Sequence, residues 1–139
     1  MSRRIHLDAN VVLRFLRNDD PRQSPAAARL FQKAARGRES LFISAVTISE
    51  IFYALLASYG LSRADAAWKI LPFVRAGVVD IEQQDCVIAA LQGVISKNVD
   101  FGDAYLAAMA AHDKGLVASF DRDLRKFKDI QLYDLEGEK

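Results

Sequence analysis

Short apolar runs alternate with longer amphipathic stretches along the chain, and this alternation predicts an α/β fold. Five runs have the length and flanking turn residues of strands, namely 4–7, 41–44, 78–81, 116–120 and 130–135. The stretches between them carry apolar residues at helical spacing. Because strands that alternate with helices favour a parallel sheet covered on both faces, we expect a three-layer α/β/α sandwich with a central, mostly parallel five-stranded sheet.

Capping and stop signals divide the helical stretches. Helices are expected directly after the first strand, over about 84–96 and 101–114, and as a short turn within 121–127. Helix starts are expected at Ser24 and Ser62, and helix ends at Gly37, Gly60 and Gly115. Pro72 is expected to kink or end the helix that Ser62 begins, because proline lacks the backbone N–H that a helix interior uses.

Length and composition place the chain among globular proteins. Its 139 residues predict one domain over 1–139, with 51% apolar residues and a net charge of +1. No apolar run approaches the roughly 18 residues that span a bilayer, and the N-terminus lacks the apolar core of a signal peptide. We therefore expect a cytoplasmic protein without membrane association. The single Cys86 excludes an internal disulfide and a thiolate metal site.

Four carboxylates lie where predicted strands end or predicted helices begin. Asp8 ends the first strand, and Glu50 lies in the first turns of the helix after the second. Asp103 opens a helix, and Asp121 follows the fourth strand. In parallel α/β sheets, ligands bind beyond the carboxyl ends of the strands. These four acids are therefore the first candidates for a functional site.

Each of these acids also has a purely structural interpretation. Asp8 can cap the following helix, and Glu50 can bond back to Thr47 in a capping box. Asp103 favours a helix dipole, and Asp121 suits a turn. For Glu50 and Asp103, however, the residues three, four and seven positions later are all apolar or aromatic, so both acids share a face with core-type residues. This phase favours a site over a solvated cap.

A cluster of these acids would need cations. Two carboxylates about 5 Å apart repel by roughly 3 kcal/mol at an effective dielectric constant of about 20. Oxygen ligands without histidine or cysteine select Mg²⁺ or Mn²⁺, and His6 and His112 lack ligand spacing. Carboxylate-held metal with open positions for water and phosphate is the usual arrangement for phosphodiester hydrolysis.

Four stretches carry a family resemblance, "LDANVVL", "ISAVTISEIFYAL", "VDFGDAYLAAMA" and "VASFDRDLRKF". In this order and spacing they resemble the PIN-domain nucleases, and among them the VapC-like ribonuclease toxins of type II toxin–antitoxin systems. The resemblance covers nearly the whole chain. It implies an α/β/α domain whose acids bind Mg²⁺ or Mn²⁺ and cleave RNA. The family's four acids fall on Asp8, Glu50, Asp103 and Asp121.

The resemblance also implies a role for each position. Asp8, Asp103 and Asp121 would hold the metal directly or through water, with Glu50 as a further ligand or as the residue that orients the attacking water. The neutral positions that support the acids fall on Asn10 and Ser119, and Asp123 matches a position that sometimes assists. Asp100 is a candidate helix cap and an outside candidate for the site.

Partners follow from the same resemblance, which implies an RNA substrate, a homodimer and a cognate antitoxin that inserts a segment near the acids. Arginines near the strand ends can contact phosphates or simply keep the surface soluble, namely Arg14, Arg17, Arg22, Arg122 and Arg125. The apolar stretch 52–56 exceeds what one buried face needs, so it suits either a partner surface or the core.

Three alternatives to this interpretation differ in chemistry or in biological role. A haloacid-dehalogenase-like phosphohydrolase also begins with a strand-end aspartate, but it uses a second one two residues on, where this chain has Asn10. A non-catalytic RNA-binding or scaffold protein of the same fold would not need the full acid set. A PIN-fold RNA-processing nuclease without a toxin role would share every residue, and only a neighbouring antitoxin gene separates it from a toxin.

Overall fold

The computed structural model describes residues 3–137, and in this part of the chain six α-helices alternate with five very short strands. The helices are α1 (Ala9–Arg17), α2 (Gln23–Ala35), α3 (Ala45–Ala57), α4 (Arg63–Arg75), α5 (Gln84–Lys97) and α6 (Phe101–Asp113). The strands are β1 (Ile5–His6), β2 (Leu41–Ile43), β3 (Asp80–Ile81), β4 (Leu116–Val117) and β5 (Gln131–Leu132). A 3₁₀ helix (Arg122–Lys126) lies between β4 and β5. The predicted α/β fold is confirmed.

All strand pairs are parallel, but they do not form one sheet of five. In residues 3–137, β1, β2 and β3 form a three-stranded sheet, and β4 pairs separately with β5. The expectation of a five-stranded sheet is therefore wrong. Short polar side chains follow or interrupt two of the predicted strands, since Asp8 and Ser119 each accept a backbone N–H two residues on.

The middle strand and the helix that follows it form the centre of the core. In β2, Leu41 and Ile43 are buried, and α3 buries its apolar face completely. The residues of that face are Ile48, Ile51, Phe52 and Leu55. Burying one such side chain contributes about 1.5–3 kcal/mol, so α3 is a rigid support for whatever its other face carries. Helix α3 packs against α1, α4 and α6.

The start of α2 differs from the sequence expectation. Ser24 does not cap the helix, because its hydroxyl lies in the first turn and donates to the Arg14 carbonyl oxygen at 2.7 Å. The Asp20 carboxylate accepts the N–H groups of Arg22 at 2.9 Å and Gln23 at 2.7 Å instead. These two bonds hold the pKa of Asp20 below its ordinary value. The serine therefore fastens α2 to α1 instead of starting α2.

Helix ends follow the glycine signals in two of three places. Gly37 and Gly60 have φ of +75° and +69°, which glycine adopts without steric cost. At the end of α6, Lys114 takes the left-handed conformation with φ of +59°, and Gly115 donates its N–H to the Ala110 carbonyl at 2.9 Å. The left-handed residue at the end of α6 is therefore Lys114, one residue before the glycine that was expected to end the helix.

Helix α4 begins as predicted and ends later than predicted. The Ser62 hydroxyl accepts the Asp65 N–H at 3.1 Å, so the predicted cap is confirmed. Pro72 lies inside the helix, which continues to Arg75, so of the two expectations for Pro72 the one that it ends the helix is wrong. Pro72 is exposed, so its ring lies on the solvent side of α4 and not in the core. Among the described residues, no helix is long and apolar enough to cross a membrane.

Candidate metal centre

Three carboxylates converge where α6 begins and the 3₁₀ helix starts. One oxygen each of Asp103, Asp121 and Asp123 lies within 4.8 Å of the others. Asp103 occupies the first turn of α6, Asp121 directly precedes the 3₁₀ helix, and Asp123 lies in its first turn. They meet because α6 packs against the 3₁₀ helix. Two of the sequence-predicted acids, together with one predicted supporting residue, therefore form one group.

The loop that carries two of these acids is built from nested side-chain turns. The Ser119 hydroxyl accepts the Asp121 N–H at 2.9 Å, and Asp121 Oδ1 accepts the Asp123 N–H at 2.9 Å. Short polar side chains favour such turns because they bond to the backbone two residues on. Lys126 Nζ lies 3.3 Å from Asp123 Oδ1 on the same 3₁₀ helix. Ser119 thus sets the loop, and Asp121 keeps its other oxygen for a ligand.

The electrostatics of the group favour a cation. Partial burial raises the pKa of Asp103 above its ordinary value, and the neighbouring charges of Asp121, Asp100 and Asp123 raise it further. The acids beside Asp103 thus disfavour its charged form, and a bound cation would offset that repulsion. Hard oxygen donors match Mg²⁺ or Mn²⁺, so the residues present fit the divalent metal that the sequence predicts.

The first turn of α6 has an unusual cap. Asp100 is the N-cap residue, yet its side chain makes no capping hydrogen bond. The Tyr53 hydroxyl, from α3, accepts the Gly102 N–H at 3.2 Å and donates to Asp100 Oδ2 at 2.7 Å. The sequence indicates for residue 53 only a place on an apolar helix face. Its position three residues after Glu50 was the available signal, because that spacing places both on one face.

Asp8 is a helix cap, as the structural interpretation predicts. Its Oδ1 accepts the Asn10 N–H at 2.9 Å at the start of α1. Asp8 and Asn10 line an open cavity of about 410 Å³ together with Arg14 and Gln23. Among the described residues, Asp8 is not part of the three-carboxylate group. A cap uses one carboxylate oxygen, so the second remains available for a ligand.

Glu50 is exposed in the second turn of α3 and does not form the capping box. That helix is capped by Ser44, whose hydroxyl accepts the Thr47 N–H at 3.2 Å. Glu50 also lies outside the three-carboxylate group of the described residues. It lies one turn before Tyr53 on the helix face that reaches the start of α6.

Two arginines that were candidates for RNA contacts are engaged within the fold. Arg14 Nε donates to Gln23 Oε1 at 2.8 Å, and its Nη1 lies 3.2 Å from the Tyr59 hydroxyl. The Arg17 guanidinium lies 4.9 Å from the centre of the Tyr59 ring, in a cation–π contact. These contacts account for both side chains. Arg122 is exposed beside Asp121, and Arg22 is exposed at the start of α2.

An open cavity of about 440 Å³ adjoins the acidic group. Asp121 belongs to both, and the cavity is also lined by Phe120, Arg125 and Tyr133. Phe120 is 77% exposed, although exposure of a large aromatic ring is unfavourable in water. Asp134 and Glu136 line it as well, so the acidic group lies next to a surface that combines aromatic faces, one arginine and two further carboxylates.

Comparison with known proteins places the chain in a family. A sequence profile of the PIN domain matches residues 5–130. The chain belongs to the PIN domain family. The curated proteins include no significant match to it. The profile spans every candidate site residue, and PIN domains are typically metal-dependent nucleases that act on RNA, so the family indicates a nuclease and therefore a hydrolase.

We predict that Mn²⁺ stabilises this PIN domain and that Asp103→Asn abolishes the effect. A ligand at 100 times its Kd adds about 2.7 kcal/mol to the free energy of unfolding. The folded-state pKa of Asp103 is raised, so in the metal-free protein its contribution to stability falls as pH rises through that pKa. Asp103→Asn should therefore make the metal-free protein more stable at pH 7. Thermal unfolding with and without Mn²⁺ measures both effects.

The matched control is Asp80→Asn, because Asp80 is exposed on β3 and lies outside the three-carboxylate group. Its unfolding should respond to Mn²⁺ as the wild type does. A full Mn²⁺ response in Asp103→Asn would show that this carboxylate does not bind the metal.

Proposed function

We propose that this PIN domain is a Mg²⁺- or Mn²⁺-dependent endoribonuclease and the toxin component of a type II toxin–antitoxin pair. The observation that carries the proposal is the group formed by Asp103, Asp121 and Asp123, whose oxygens lie within 4.8 Å of one another. The raised pKa of Asp103 supports a bound cation. When bound, such a metal lowers the pKa of its water and stabilises negative charge on the scissile phosphate.

The proposed roles follow from position. Asp103 and Asp121 hold the metal, and Asp123 contributes directly or through water. Asp8 offers its free oxygen, either to the metal or to a bound water, and Glu50 orients the attacking water or adds a ligand. The resemblance to PIN-domain nucleases supports these roles for Asp8 and Glu50. Asn10 and Ser119 add no charge, so they orient ligands and the loop without increasing the repulsion.

The open cavity beside Asp121 supports single-stranded RNA as the substrate. Unpaired bases stack on exposed aromatic rings, whereas the bases of a duplex are hidden from such contacts. Phe120 and Tyr133 supply such rings, and Arg125 supplies a cation for phosphate. Because Asp121 belongs both to this cavity and to the carboxylate group, we propose that the cavity takes a nucleotide next to the scissile phosphate.

The toxin role, the antitoxin partner and the homodimer are supported by the resemblance of the four motifs to VapC-like proteins. A PIN-domain nuclease that processes RNA without arresting growth would use the same residues. The cytoplasm is the compartment that this proposal requires, because the RNA substrate is there.

We predict that the protein cleaves single-stranded RNA with Mg²⁺ or Mn²⁺ and that EDTA abolishes cleavage. Asp103→Asn and Asp121→Asn should each lower kcat/KM by about 100-fold or more, because each loses a metal ligand. Asp8→Asn and Glu50→Gln test the two acids outside the group. Cleavage is followed on a labelled oligonucleotide, with Asp80→Asn as the control. Activity that survives both Asp103→Asn and Asp121→Asn contradicts the site assignment.

We predict that Phe120→Leu raises KM for single-stranded RNA and changes kcat little. Base stacking on an aromatic ring is worth about 1–3 kcal/mol, so KM should rise roughly fivefold or more. Steady-state cleavage kinetics measure both constants. Trp68→Leu is the matched control, since Trp68 is an exposed aromatic residue on α4. An unchanged KM in Phe120→Leu would exclude the stacking role.

We predict that expression of the wild type arrests bacterial growth and that co-expression of the neighbouring antitoxin relieves the arrest. Asp103→Asn, expressed to the same level, should not arrest growth. Colony counts after induction measure the effect. Normal growth with a demonstrably active wild-type nuclease would contradict the toxin role and favour a processing enzyme.

A further inference from the structure

The start of α6 is held by a side chain from another helix. We infer that Tyr53 is a positioning residue for the metal centre: its hydroxyl joins the Gly102 N–H to the Asp100 carboxylate and so fixes the turn that carries Asp103. This inference rests on the proposed metal site. It adds a residue to that site whose side chain touches neither metal nor RNA.

The helix needs this contact because its own cap residue does not supply one. The first N–H groups of a helix have no partner within the helix, and the N-cap side chain normally accepts one of them. The Asp100 side chain makes no such bond. Tyr53 Oη accepts the Gly102 N–H at 3.2 Å and thereby acts as the cap, across 49 residues of sequence.

The glycine at position 102 fits this contact sterically. A Cβ at residue 102 would lie 3.3 Å from Tyr53 Oη, which is tighter than most real Cβ contacts, and 3.4 Å from Asp100 Oδ2, at the limit of ordinary contact. An alanine there would therefore require the hydroxyl to move by a few tenths of an ångström. The three residues form one unit, in which the tyrosine reaches the backbone because residue 102 has no side chain.

Charge explains why a hydroxyl is suited to this place. Asp103 lies beside Asp100, Asp121 and Asp123, and their repulsion would spread the turn when no cation is bound. A lysine or arginine at residue 53 would relieve the repulsion by neutralising the acids, and it would compete with the metal. A hydroxyl donates to Asp100 and holds the backbone without adding positive charge. The site therefore keeps both its shape and its negative potential.

The contact also couples two predicted parts of the site. Glu50 lies one turn before Tyr53 on α3, and Asp103 lies one residue after Gly102 on α6. Tyr53 is therefore the hydrogen-bonded link between the helix of Glu50 and the turn of Asp103. Removing its hydroxyl frees the turn to move relative to α3.

The test compares Tyr53→Phe with Tyr105→Phe. Tyr105 lies on α6 itself and stacks on Phe101 with ring centres 5.9 Å apart, and its hydroxyl makes no hydrogen bond among the described residues. We expect Tyr53→Phe to weaken Mn²⁺ binding about tenfold by calorimetry, as loss of an outer partner typically does. Amide exchange at Gly102 should accelerate in the metal-free protein. Tyr105→Phe should change neither quantity.

Cleavage kinetics at varied metal and RNA concentrations distinguish a positioning role of Tyr53 from a role in RNA binding. In Tyr53→Phe, the metal concentration for half-maximal cleavage should rise by the same factor as the Mn²⁺ Kd, while KM for RNA at saturating metal stays unchanged. Gly102→Ala is a second variant that displaces the hydroxyl, and it should shift Mn²⁺ binding in the same direction.

Several outcomes would overturn the inference. Wild-type Mn²⁺ affinity in Tyr53→Phe, even with lower thermal stability, would show a purely structural role. Equal losses in Tyr53→Phe and Tyr105→Phe would show a general packing effect, and absence of Mn²⁺ binding by the wild type would remove the site itself. If the wild type cleaves no RNA but Tyr53→Phe still weakens Mn²⁺ binding, the proposed function fails and the inference stands.

Discussion

The mutual repulsion of the site carboxylates is the constraint that the rest of this structure must satisfy. Three acidic groups are held within 4.8 Å, and the fold opposes their separation by anchoring the backbone next to two of them. Ala104, directly after Asp103, is buried, and so is Leu124, directly after Asp123. Both neighbours of Asp121 are exposed, and this residue is held instead by its hydrogen bonds to Ser119 and to the Asp123 N–H. Moving the acids apart would expose apolar area, which costs free energy.

The repulsion between the carboxylates also explains why several of them lie at the starts of helices. An α-helix presents its partial positive charge at the N-terminus, so acids there are tolerated better than elsewhere. Asp103 uses the start of α6, Asp121 the start of the 3₁₀ helix and Asp8 the start of α1. The backbone therefore compensates part of the charge, and a divalent cation is left to compensate the rest.

The sequence predicts the elements better than their connections. Apolar runs and turn residues locate all five strands and six helices, because those signals are local. The division into two sheets is not local, since it depends on which strands pair across distant parts of the chain. Pro72 shows the same limit, because its local preference to end a helix does not decide where α4 ends.

The candidate site, too, was predictable from local signals only in part. Residue type and position at element ends selected Asp103 and Asp121, and helical phase further supported Asp103, whereas the resemblance implied only an assisting role for Asp123. The nested turns of the loop place Asp123 in the group itself. For Tyr53 the sequence offers only the helical spacing that places it on the face of Glu50. Its hydrogen bond to Gly102 joins residues 49 positions apart, and no sequence spacing signals that pair.

The nested turns of residues 119–123 also have a consequence for how an anion is bound. The N–H groups of Asp121 and Asp123 are both used inside the loop, so neither is free to donate to an anion. The backbone of this loop therefore offers phosphate no donor, and attraction for a polyanion must come from side chains such as Arg125 or from a bound cation. On the proposed function, the divalent cation does more than supply chemistry: it replaces the anion-binding backbone that this loop lacks.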